Sequence, residues 1–178
     1  MLTTKKMLIG LSVLIGVIAA IVLAAPMTTT TCAAAPCKES ANGHGTLVMP
    51  NGTRRQFSFN AQKQADGTAK GNAVIHNPAF PPDPQFRGNI EIKCLEVVGN
   101  RARVAGVVRN TNDPNLDNNT AVFEVVDNGN PGRDNDTISL VFFSPPNSPP
   151  PTPLYCQTFE NFPQMPIDNG NIKVDDCP

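Results

Sequence analysis

Arg55-Gln56-Phe57-Ser58-Phe59-Asn60-Ala61-Gln62 sets an apolar side chain at every second position. Phe57, Phe59 and Ala61 point one way and Gln56, Ser58, Asn60 and Gln62 the other, the pattern of a β-strand with one buried and one wet face. The same period recurs further along the chain. In Arg101 to Arg109, Ala102, Val104, Gly106 and Val108 are expected inward, with Arg101, Arg103 and Arg109 outward. In Asp136 to Phe143, Ile138, Leu140 and Phe142 alternate with Thr137, Ser139 and Val141.

Turn chemistry separates these runs: Pro50-Asn51-Gly52, Asp66-Gly67, Gly99-Asn100 and Asp127-Asn128-Gly129-Asn130-Pro131-Gly132. Gly and Asn supply the positive φ values of tight reversals. Strands are predicted at 43–49, 53–63, 69–76, 86–98, 101–110, 119–127 and 136–143, with a short last one near 170–175. The stretch 86–98 breaks phase. Ile90, Ile92 and Cys94 share a face, but Glu96 would follow them inward and leave Leu95 and Val97 outside. A β-bulge is therefore expected near Cys94-Leu95. The fold class is all-β: an antiparallel meander of about eight strands closed into a small barrel, with a two-layer β-sandwich as the alternative.

Lys5 and Lys6 stand directly before the uncharged, apolar run from Met7 to Ala25. A positive flank followed by such a run directs export as a helix. Its length exceeds the ~7–15 residues of an ordinary signal-peptide core and approaches the ~20 that span a bilayer. Residues 1–25 are thus either a signal peptide, for which Val22-Leu23-Ala24 offers a cleavage site, or an N-terminal membrane anchor. The remainder is expected to be secreted or otherwise extracytoplasmic, touching a membrane only through an uncleaved 7–25. Residues 26–42 read as a flexible Thr/Ala-rich stalk and 43–178 as one β-domain. Prolines crowd Pro145 to Pro153, which excludes helix and central strand. Residues 144–153 read as a stiff connector to a disulfide-tethered C-terminal segment, 154–178.

The chain has five cysteines. In an exported protein these are first of all disulfide material. Cys94 is expected to bond Cys156 or Cys177, with Cys37 taking the other of the two and Cys32 left over. The close spacing of Cys32 and Cys37 lacks the second pair or histidine that a zinc site would need.

The order of motifs carries a resemblance. Gly43-His44-Gly45, Phe57-Ser58-Phe59-Asn60-Ala61, Phe86-Arg87-Gly88, Cys94-Leu95-Glu96-Val97, Gly99-Asn100-Arg101-Ala102, Val125 to Gly132 with Asp136, and Gly170-Asn171-Ile172 resemble a family of small secreted bacterial β-domains, the post-COAP-type domains. These occur as solitary exported proteins or at the ends of larger surface proteins. The resemblance spans Gly43 to Val174 and implies export and a β-fold. It transfers no activity and no catalytic residues. The cysteine set and the proline tract depart from the family's usual pattern.

Asp127, Asn130, Asp134 and Asp136 bring enough hard oxygen ligands into one loop for Ca²⁺ if they converge. The spacing does not match an EF-type loop, and turns whose Asp and Asn side chains bond their own backbone account for the same residues. No cofactor is otherwise expected. Of the two histidines, His44 lies between glycines and His76 on a polar strand face, and neither sits in a hydrolytic motif. Glu91, Glu96 and Glu124 fall on outward positions, where they keep the sheet soluble. A formal net charge of −1 gives no basic surface for nucleic acid. With no Trp and one Tyr, the aromatic platform of a glycan binder is missing.

The functional expectation is an exported, non-enzymatic β-domain acting as a structural or binding module at the cell surface or in the extracellular matrix. The alternative is a small barrel holding an apolar ligand, motivated by the small inward residues Ala69, Gly71, Ala73 and Gly106. The candidate lining is Phe57, Phe59, Ala73, Phe123 and Phe142. A secreted hydrolase ranks third and would need His44 or His76 beside a carboxylate.

Overall fold

The computed structural model describes residues 37–78 and 85–177. The expected export helix and most of the expected stalk, with Cys32, lie outside the described residues.

The chain is all-β. Its strands are β1 (Ser40–Val48), β2 (Arg54–Lys63), β3 (Ala69–Asn77), β4 (Phe86–Val98), β5 (Arg101–Arg109), β6 (Thr120–Val126), β7 (Thr137–Ser139), β8 (Phe142–Phe143), β9 (Gln164–Pro166) and β10 (Asn169–Asp175), with one helical turn, α1 (Pro153–Cys156), before β9. The first six run as an antiparallel meander. The full order is β10-β1-β2-β3-β4-β5-β6-β7-β9, with β8 also on β6. The first strand starts at Ser40, earlier than the pattern predicts, because Ser40 to Asn42 pair with both β2 and β10.

The inner face follows the period-two reading: Phe57, Phe59, Ala61, Ala73, Ile90, Ala102, Val104, Val108, Phe123, Val125 and Ile138 are all buried in one core with Ile167 and Ile172. The sheet curls around them as a half-barrel. Its ladder does not close into a ring, since β9 and β10 end the hydrogen-bonded path. The two ends meet at one corner, where Ile167 N donates to Asp136 O and Asp168 N to Thr46 O, as the chain leaves the partner of β7 for that of β1.

Two phase errors of the sequence reading have a common cause. The bulge in β4 falls between Ile92, opposite Gly106, and Cys94, opposite Ala105. Lys93 is the extra residue. Ile92 and Leu95 therefore both face the core, and Cys94 faces the outer side with Ala105, Val122 and Cys156 instead of sharing a face with Ile90. The expected strand 136–143 is likewise interrupted at Leu140-Val141. Ile138 opposes Val125 while Phe142 opposes Val122, so one surplus residue lies between the two pairings. That slip turns Phe142 outward, 38% exposed, and Phe143 inward.

The outer face of β4 to β6 is covered. The proline connector, tied at Pro149 O by the Thr120 hydroxyl (3.1 Å), delivers α1 onto it, and Cys156 bonds Cys94 there. Cys37 bonds Cys177, stapling the chain just before β1 to the chain just after β10. Arg103 and Glu124, expected outward and wet, are 1% and 0% exposed beneath this strap.

Candidate functional site

Where β2 and β3 face the β7–β8 segment no ladder joins them, and a cleft of about 230 Å³ remains. Strand alternation places its floor. Phe59 opposes Ala73 and Phe57 opposes Ile75 across β2–β3. On the other flank the same two residues oppose Gly43 and Gly45 of β1. The phenyl rings lean over those glycines: a Cβ would stand 2.8 Å from Phe59 Cε1 at Gly43 and 3.1 Å from Phe57 Cζ at Gly45. Rings accommodated over β1 leave the space above the short Ala73 side chain unfilled. Phe123 closes the back, edge-on to Phe59 with centroids 5.4 Å apart. Phe86 and Phe143, edge-to-face at 6.0 Å, stand on the β8 side of the opening.

Of the expected interior residues, Phe57, Phe59, Ala73 and Phe123 line this cleft. Phe142 does not: the register slip places it on the outer face, where it meets Phe162 at 4.3 Å.

Arg55 also lines the cleft. It occupies the inward position of β2 before Phe57, opposite Leu47 of β1, whereas Arg54 turns outward to Asp168 at 3.1 Å. One step beyond the Gln56–His76 pair, the β2–β3 register sets Arg55 beside Asn77. Arg55 Nε and Asn77 Oδ1 are both out of contact with solvent and, among the described residues, without a hydrogen-bond partner. A buried polar atom in that condition costs about 1–3 kcal/mol. The sequence signal for Arg55 is its phase with Phe57, two residues before that inward ring.

The loop of the calcium expectation is tied into the fold. Asp136 is fully buried; its Oδ1 accepts Asn128 N at 2.9 Å and its Oδ2 accepts Ile172 N at 2.7 Å. Asp127 Oδ2 accepts Val174 N at 3.1 Å, and Asn171 Oδ1 accepts Gly132 N at 3.0 Å. The two carboxylates thus occupy free N–H groups on the open edge of β10. Asn130 and Asp134 take no part: Asn130 is exposed before the cis Pro131, and Asp134 is exposed beside Arg133. Among the described residues no group of three or more His, Cys, Asp and Glu side chains is arranged to hold a metal ion.

Under the strap, Glu124 receives Arg101 and Arg103, the latter at 3.4 Å, together with the Glu160 backbone N–H at 3.2 Å. The Arg103 guanidinium also meets Glu160 at 3.1 Å and lies between the rings of Tyr155 (5.4 Å) and Phe162 (5.2 Å). The sequence could not reveal this cluster, because it depends on where a distant segment is laid down.

His44 and His76 border a shallow groove on the outer face of β1 to β3. His76 Nε2 lies 2.7 Å from Gln85 Nε2. Among the described residues neither histidine hydrogen-bonds a carboxylate, and none of the described residues is in a helix long and apolar enough to cross a membrane.

Comparison with protein-family models, with curated proteins and with solved structures finds no match for the chain.

Proposed function

We propose that this is an exported binding module which holds a small apolar group in the cleft between β2–β3 and β7–β8, without transforming it, at the cell surface or in the surrounding matrix. One observation carries the reading: a cleft lined mainly by phenylalanine and aliphatic side chains opens into the side of the core between β2–β3 and β7–β8. A space of about 230 Å³ is below the ~300–1,000 Å³ of drug-sized sites, so the ligand is small or only partly enclosed. Two disulfides are compatible with an oxidising compartment, and a motif order that resembles secreted β-domains is in keeping with the same location.

The test is NMR titration of the disulfide-bonded protein with octan-1-ol, a neutral probe. Shift changes are expected on Phe57, Phe59, Ala73 and Phe123 and are expected to vanish in Ala73→Leu, which fills the space. Changes scattered over the surface, or left intact by Ala73→Leu, would defeat the reading and favour a purely structural module.

A further inference from the structure

We infer that the cleft's ligand is an anionic amphiphile, a single-chain carboxylate whose head group is received by Arg55 and Asn77 and whose tail lies against Phe57, Phe59 and Ala73. This rests on the binding function proposed above and specifies its ligand. Among the described residues lining the cleft, Arg55 alone is charged. It forms no ion pair with any described residue, although its neighbour Arg54 does, and its Nε is buried without an acceptor. Arg55 is half-buried, so water still reaches part of its guanidinium, and an anion at the mouth would answer the Nε donor that water does not reach.

The neighbouring Asn77 amide carries two N–H donors, and these are the atoms that can meet the second oxygen of a carboxylate; its open Oδ1 is an acceptor and answers only to a donor. A guanidinium offers a carboxylate two parallel N–H donors, a fixed geometry that an alcohol cannot use in full. A purely apolar ligand would leave Arg55 unanswered, and a cation would be repelled. Size sets the tail. At about 230 Å³ the cleft lies below the ~300–1,000 Å³ of drug-sized sites, which favours one short chain over two. A short to medium fatty acid fits; a two-chain membrane lipid does not.

The test compares octanoate with octan-1-ol, matched in chain length and differing in charge, by calorimetry at pH 7.5 on the protein as exported, with its disulfides intact and without detergent. Octanoate is expected to bind about tenfold or more tighter than octan-1-ol, as a charge-assisted hydrogen bond would give. Arg55→Gln is expected to erase that preference while leaving octan-1-ol unaffected, and Arg55→Lys to restore part of it. Equal binding of the two probes, or a preference that survives Arg55→Gln, overturns the anionic ligand yet leaves the apolar site standing. Failure of both probes to bind the native protein overturns both proposals. Should Arg55→Gln unfold, the octanoate-to-octanol ratio in Arg55→Lys and the native protein decides alone: no preference in either removes the inference.

Discussion

The buried carboxylate of Asp136 receives the backbone N–H of Ile172 at 2.7 Å and that of Asn128 at 2.9 Å, joining the β6–β7 loop to the free edge of β10. An exposed strand edge is open to pairing with other chains, and here side-chain oxygens occupy it. Gly132 is required beneath them, because a Cβ there would overlap the Asp136 carboxylate. Asp136→Asn replaces one acceptor by a donor and leaves a buried N–H unanswered, so a loss of about 3 kcal/mol is expected in urea unfolding. Gly132→Ala should be destabilised in the same direction. Adding calcium or a chelator should leave the native melting temperature unchanged, since both Asp136 oxygens are already engaged. A calcium-dependent rise would show that the loop holds a metal after all.

How far the sequence discloses this fold depends on the range of the interactions. Alternation within a strand is local, and Phe57, Phe59 and Ala61 disclosed their inward face without reference to any partner. The β4 bulge was visible because Leu95 and Val97 conflict with Glu96 in one phase. The slip at Leu140-Val141 was not, because Ile138, Leu140 and Phe142 alternate without conflict; only the separate pairings with Val125 and Val122 reveal the surplus residue. Asp127 and Asp136 act on β10, and Glu124 on a strap that comes after it in the chain. Their partners are fixed by the tertiary path, which no short window contains.

Acid should weaken the β1–β10 ladder at its Ser40–Asp175 end. A hydrogen bond from Lys173, and after it one from Ser40, holds the Asp175 carboxyl below the ordinary value of an aspartate. A depressed folded-state pKa contributes stability above the unfolded value, which is lost as pH falls through the folded one. Carboxyl NMR is expected to give a midpoint below that ordinary value, rising toward it in Lys173→Met. Because the pair is largely exposed, 62% and 39%, the change in overall stability should be small. An Asp175 midpoint that ignores Lys173→Met would show that the pair is not formed in solution.

The two disulfides should differ in what they release. Cys94–Cys156 spans 62 residues and Cys37–Cys177 spans 140. Chain-entropy arguments give about 4 and 5 kcal/mol for loops of such lengths. Cys94→Ala with Cys156→Ala should cost the smaller amount but free the strap, so that limited proteolysis cuts first near Leu154 and Tyr155, already 72% and 39% exposed. Cys37→Ala with Cys177→Ala should leave the strap protected and expose the β1 and β10 ends. Mass spectrometry of the first fragments distinguishes them, and identical cleavage in both variants would contradict the separate roles.

The strap is also held by charge. Glu124 is fully buried between Arg101 and Arg103, and removing one member of such a cluster leaves the rest uncompensated, at a cost of about 3–5 kcal/mol. Glu124→Ala should therefore be strongly destabilising in urea unfolding. The double variant Arg103→Met with Glu124→Leu should recover most of the loss, because Arg101, 26% exposed, can turn to water while apolar side chains fill the space between Tyr155 and Phe162. Strong coupling in the double-mutant cycle is the expected result for groups in contact. Simple additivity would mean that the strap is held by Cys156 and its aromatic contacts, with the ions as bystanders.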